Sequence, residues 1–269
     1  MILLLASLTF AAPECDDLKR DMIALELFLK DREDKNLNDS REFCEKAIQK
    51  DPLFSLAYSM LAKINHSELI RFAKEDSDAI LDEMFENASK AAELDPQNPE
   101  SSVMLSTYYF FKGDFTFSQN HAEKAVELNP SNPEAYMRLG LSMIHQGDYE
   151  NSEEFVRKSI EIDPLDPKIV RRKIPYFFLY MGRNDFQKAF EITKEILEHS
   201  PNAGLVKGFK ASVMGFLDYG KEAKQALDEY LELRPNLKTR EDFKKIFVPN
   251  SALADTLIEG LIKAGWQPE

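Results

Sequence analysis

Positive charge is what this chain most lacks. Lysine and arginine total 34 against 47 aspartates and glutamates, a formal net charge of −13. Such a surface repels phosphate backbones, so general nucleic-acid binding is excluded, and solubility is the ordinary reading of the acidic excess. Cysteine is scarce: Cys15 and Cys44 are the only two. They cannot build a disulfide framework or a four-ligand zinc site, while one bridge or two free thiols both stay open. His66, His121, His145 and His199 are scattered without ligand spacing, so no metal and no cofactor is implied. No apolar run is long enough to cross a bilayer as a helix, and no stable membrane span is expected.

Catalytic motifs are missing as well. Gly220-Lys221 lacks both the preceding glycine spacing and the following Ser/Thr of a phosphate loop, and no G-x-S-x-G elbow occurs. Paired acids such as Glu153-Glu154 read as a solvated helix face. The expectation is a protein that is not an enzyme. Strand punctuation is poor too. The 13 prolines sit mostly in Asp-Pro, Asn-Pro or Arg-Pro pairs between helical runs, which predicts an all-α fold.

What the chain does have is a period. Residues 97–130 fall on residues 131–164 after a shift of 34, with identities at Asn98/Asn132, Pro99/Pro133, Glu100/Glu134, Leu105/Leu139, Gly113/Gly147, Asp114/Asp148, Ser118/Ser152, Lys124/Lys158, Glu127/Glu161 and Pro130/Pro164. A fixed period of this size means stacked helix pairs. Helical runs close at Pro52, Pro96, Pro130, Pro164, Pro201 and Pro235, so six pairs run from about Asp21 to Pro235. A polar turn is read at Asp34–Asn38, followed by a helix from about Ser40 to Lys50. An insertion around His66–Asp78 lengthens the second pair. In the fifth pair the helix either begins near Ile174, with Pro175 in its first turn, or is kinked there. The sixth pair is rich in glycine, with Gly204, Gly208, Gly215 and Gly220. After Pro235, Thr239–Phe247 reads as a short helix. Ser251 is a plausible N-cap for an amphipathic helix over Ala252–Ala264, which would cover the open end of the stack.

The segments are therefore residues 1–14, a signal peptide or capping segment; residues 15–236, the array; and residues 237–269, the capping helices. Ile2–Phe10 resembles the apolar core of a secretory signal, although no Lys or Arg precedes it. The location follows: periplasmic or secreted if residues 1–11 are a signal, otherwise cytoplasmic.

Leu139-Gly140, Gly147-Asp148-Tyr149 and Asp163-Pro164, with their counterparts Leu105-Ser106, Gly113-Asp114-Phe115, Ala122, Ala125 and Asn129-Pro130, resemble the tetratricopeptide repeat. That resemblance implies a right-handed α-α superhelix whose function is to hold another protein. A narrower resemblance, carried by Phe43–Ile64 and Ile258–Glu269, is to the repeat half of bacterial regulators that join it to a class III nucleotide cyclase or a DNA-binding module. It implies a regulatory or sensory module acting through a separate chain.

Two surface features are candidates for binding. In the first helix of each pair, one stripe is left over after the residues that pack on the partner helix are removed. It comprises Val103, Thr107 and Phe110 in the third pair, Met137, Leu141 and Ile144 in the fourth, and Ile174, Phe178 and Met181 in the fifth. The second and sixth pairs carry Ser59, Lys63 and His66, and Gly208, Ser212 and Gly215. The central stripe is either core or an apolar groove for a peptide. Beside it lie Arg138, Lys168, Arg171, Arg172 and Lys173, which either attract an acidic segment or pair with neighbouring acids. The partner expected is a protein or peptide carrying apolar and acidic residues.

Overall fold

The computed structural model describes residues 34–72, 77–166, 169–246 and 251–269. Residues 1–33, including the expected signal segment, Cys15 and the expected opening helix, lie outside the described residues. So do Lys168 and the end of the short helix at Phe247. The described residues form thirteen α-helices and no strand. They divide between two compact units, Met1–Met104 and Leu105–Glu269.

The first unit holds α1 (Asp34–Lys50), α2 (Ser55–Phe72) and α3 (Ser77–Leu94), with the start of α4 (Pro99–Phe111). One expectation is corrected here. The stretch read as a polar turn is the first turn of α1, anchored by buried Leu37 and Ser40. The insertion lengthens the second pair, and α2 and α3 each reach 18 residues. Extending paired helices satisfies backbone groups that a loop would leave to water. The polar stripe of this pair is a hydrogen-bonded core feature. The Asn98 amide donates to Ser59 Oγ at 2.7 Å and Ser55 Oγ at 3.1 Å, and Lys63 pairs with Glu100 at 3.3 Å.

The second unit continues through α5 (Phe115–Leu128), α6 (Pro133–His145), α7 (Tyr149–Glu161), α8 (Ile174–Gly182), α9 (Phe186–His199), α10 (Gly204–Phe216), α11 (Lys221–Leu233), α12 (Arg240–Ile246) and α13 (Ala252–Lys263). A short 3₁₀ turn, Arg171–Lys173, precedes α8. Pro175 sits in the first turn of α8, where its missing N–H costs nothing, so the kinked alternative does not arise.

The period is built from local chemistry. Asp114, Asp148 and Asp185 each cap the next helix by accepting from the backbone N–H three residues on, at 3.2 Å in every case. Ahead of the first two caps the chain must turn left-handed, and Gly113 and Gly147 supply it with φ of 75° and 88°. In the fifth and sixth pairs Asn184 and Asp218 take that conformation instead, with φ of 58° and 55°.

Helix pairing follows the small residues. A Cβ on Gly140 would lie 2.7 Å from Val156 Cγ2, so α6 and α7 touch there with nothing between them. Ser106, Ser118 and Ser142 join α4, α5 and α6 through hydroxyls 3.2 and 2.7 Å apart. Tyr149 wedges against Gly182, where a Cβ would meet its ring at 2.2 Å. Residues Ala135 through His145 of α6 are all buried, so this helix is enclosed on every side.

The last helix departs from the expected plan. The first helices α6 and α10 pack on the second helix of the preceding pair, α5 and α9. A helix continuing the stack would therefore lie on α11. Instead α13 packs along α10 and reaches α8, which are first helices. Leu253, Leu257, Ile258 and Leu261 are buried, and each contributes roughly 1.5–3 kcal/mol of transfer free energy to the seat.

Candidate functional site

The face in question is formed by the stripe residues on the first helices of the second unit. Of the sequence-predicted residues, Thr107, Phe110, Met137, Arg138, Leu141, Ile144 and Phe178 are all buried, and Val103, in the first unit, is buried as well. Arg171 is half-buried. The stripe is therefore not an open apolar surface. Phe110, Met137, Leu141, Ile144, Phe178 and Met181 belong to one continuous core with Leu253, Leu257, Ile258 and Leu261 of α13. Among the first helices, α13 itself packs on α10 and reaches α8.

The seat of α13 is specific. A Cβ on Gly215 would stand 2.0 Å from the Gly260 carbonyl oxygen, and one on Gly260 would stand 2.4 Å from the Ser212 carbonyl oxygen. The two backbones are thus in direct contact, which only glycine allows at this distance. Ser212 Oγ donates to the Leu257 carbonyl oxygen at 2.9 Å. The sixth-pair stripe contributes Ser212 and Gly215 to this seat. Gly208 does not join them, because it faces the Tyr230 ring of α11, 2.7 Å from where its Cβ would be.

Sequence reasoning missed His145. It is buried at the end of α6, with the rings of Phe110, Phe115 and Phe178 centred 4.9, 5.1 and 5.2 Å from its own. Its Nδ1 is hydrogen-bonded to Ser251 Oγ at 2.6 Å. Ser251 occupies the N-cap position of α13, but its hydroxyl makes no cap and reaches back to α6 instead. Burial pushes the His145 pKa down from 6.5 to about 3, so the ring is neutral. The signal was its place beside Ile144, one residue off the stripe.

The basic cluster is answered from within. Arg138 and Arg171 share the Glu134 carboxylate at 3.1 and 2.8 Å. Arg172 pairs with Asp166 and also donates to the Ser159 and Asp163 carbonyls, tying down the end of α7. Lys173 pairs with Glu195. Of the two readings of these cations, the geometry fits internal pairing. No group of three His, Cys, Asp or Glu side chains that could hold a metal occurs among the described residues. Among them, too, no helix is long and apolar enough to cross a membrane.

Comparison with known proteins bears on the fold. Residues 103–167 match the tetratricopeptide repeat family model. No curated protein matches the chain. Among solved structures, the APC/C hetero-tetramer Cut9–Hcn1 contains a chain that is 16% identical, with a TM-score of 0.63 over 86% of this chain, which spans only 40% of that one. A tetratricopeptide repeat protein from Parabacteroides merdae is 16% identical with a TM-score of 0.51, covering 93% of this chain and 99% of that one. PilW, a type IV pilus biogenesis factor, is 15% identical with a TM-score of 0.56 over 88% of this chain and 98% of its own. The chain has the all-helical repeat fold of the tetratricopeptide-repeat proteins.

Proposed function

We propose that this protein is a non-enzymatic interaction scaffold that takes a segment of a partner protein on the face built by the end of α4 with α6, α8 and α10. The observation that supports it is α13. That face already holds a helix, through apolar side chains, a backbone-to-backbone crossing and the Ser212 hydroxyl. A chain of this fold takes part in the Cut9–Hcn1 hetero-tetramer, which makes assembly with another protein a use the fold supports. The proposed site is confined to second-unit residues: Thr107, Phe110, Met137, Arg138, Leu141, Ile144, Arg171 and Phe178, with Val103 left to the first unit. Its partner is apolar rather than acidic, because Arg138 and Arg171 are already engaged by Glu134.

Triple substitution of Phe110, Leu141 and Phe178 cannot test this, since all three are buried and the fold would fail with the site. A photo-crosslinking side chain can be placed instead at half-buried Ile174, on the stripe, and in a second protein at exposed Phe117, on α5. Partner adducts are expected from position 174 and not from 117. Adducts from 117 alone, or equally from both, would refute the assignment of the face.

A further inference from the structure

The inner face holds a helix that does not belong to the repeat. Besides its buried apolar residues, three contacts define its seat: Gly260 against Gly215, Leu257 under the Ser212 hydroxyl, and Ser251 on His145. Reading along α13, the chain presents apolar residues at positions i, i+1, i+4, i+5 and i+8, which are Leu253, Ala254, Leu257, Ile258 and Leu261. A glycine, Gly260, stands at i+7. Asp255 and Glu259 lie between these positions, and Lys263 follows them. This is the pattern of an amphipathic helix read by a groove through spaced apolar anchors.

We propose that α13 is a built-in occupant of the partner groove, and that the ligand is a helix of the same pattern which binds by replacing it. The inference rests on the reading of this face as the binding surface and adds the chemistry of the partner. The ligand helix carries Leu or Ile at the anchor positions and glycine where the two backbones cross. Any side chain at that crossing meets the Ser212 carbonyl oxygen, as a Cβ on Gly260 would at 2.4 Å. Because α13 is tethered, it competes at an effective concentration on the order of millimolar, and a free helix of equal intrinsic fit is largely excluded from the unmodified chain. The groove is therefore masked in the isolated protein, and its apparent affinity is set by how firmly α13 is held.

The chain carries its own reporter. Trp266 is its one tryptophan; it is buried at the end of this segment, with its ring 6.2 Å from that of Phe243. The probe is a synthetic peptide of residues 251–269 with Trp266→Phe, labelled with fluorescein, added to the full chain. The Gly260→Leu variant of the protein, which cannot seat its own α13, is expected to bind the peptide at least tenfold more tightly than the unmodified chain. In the unmodified chain, saturating peptide is expected to shift Trp266 emission to the red as α13 leaves. Leu257→Ala provides a second loosened variant should Gly260→Leu not fold, as judged by circular dichroism. Adding Gly215→Leu to either loosened variant is expected to abolish binding.

Peptide binding no tighter in a folded loosened variant than in the unmodified chain overturns the inference. So does binding that survives Gly215→Leu, or a loosened chain that merely dimerises by exchanging α13 without gaining peptide affinity. The crosslinking result at position 174 is independent of all three, so a failure here with adducts there leaves the scaffold reading standing.

Discussion

Acid should weaken the second unit through His145, and the size of the effect follows from its surroundings. The groups that face the ring are Phe110, Phe115, Phe178 and Ser251, none of which carries a charge. Its folded pKa lies near 3 against an ordinary value of 6.5. As pH falls through 6.5, the unfolded chain takes up a proton that the folded chain refuses. Stability is therefore full above about pH 6.5 and is lost progressively below it, the loss ending only near 3. At 1.36 kcal/mol per unit, moving from pH 7 to pH 5 should remove about 2 kcal/mol. The assay is urea unfolding followed by Trp266 emission, which reports the second unit, at both pH values. Carboxylates titrate over the same range, so the quantity to read is the difference between the unmodified chain and His145→Gln. That difference should shrink by about 2 kcal/mol at pH 5. A difference independent of pH would refute the argument, because it would mean that the ring is solvated or has a charged partner when folded.

Other consequences can be checked separately. Gly147→Ala should cost roughly 1–2 kcal/mol in thermal or urea unfolding, from backbone strain alone, since no atom lies within 4 Å of the added Cβ. Asn184→Gly, at the matching turn, should change stability by less than about 1 kcal/mol, because glycine takes the same φ of 58° without strain. Glu134→Gln removes the carboxylate that Arg138 and Arg171 share; with Arg138 buried and Glu134 partly exposed, it should cost about 2 kcal/mol, below the full penalty of a wholly buried pair. Cys44 is fully buried, and burial pushes its thiol up to about 12, so iodoacetamide at pH 8 should leave it unmodified in the folded chain and alkylate it in denaturant, as read by peptide mass mapping.

The repeat was legible because its causes are local. Gly147, Asp148 and Tyr149 act on the turn they belong to, and Pro175 acts within its own first turn, so their meaning survives without knowledge of the fold. The turn at Asp34–Asn38 was misread for the opposite reason: polar composition marks a turn only where nothing packs, and Leu37 packs. The stripe Phe110, Leu141 and Phe178 is buried, with Phe110 against His145 and Phe178 against His145 and Phe209, and such contacts between neighbouring first helices were one of the two readings the spacing left open. Periodicity carries no information about the contact with α13. Size does. Ser212 and Gly215 were among the small side chains of the sixth pair's stripe, which was read as polar or small beside the central groove. They are the seat of α13, because a backbone can approach only where side chains are absent. Their counterpart Gly260 lay in plain view in the final helix.

Two kinds of helix contact thus hold the second unit, and they answer to different changes. Within the repeats, a side chain fills a gap left by a glycine, as Tyr149 does at Gly182 and Tyr230 at Gly208. Such contacts tolerate a change in one member if its neighbour's side chain can rotate away. At the seat of α13 the opposing atoms are the carbonyl oxygens of Gly260 and Ser212, which cannot move without shifting a whole helix. A substitution there acts on one docked element and leaves the stacked pairs intact. On the proposed reading of this face, the same geometry would filter its ligand. A helix with anything larger than hydrogen at the crossing is held off α10, and with it go the Ser212 hydrogen bond and the close fit of the anchors on either side. Sterics at Gly215 and Ser212 therefore select the occupant before its polar contacts are tried.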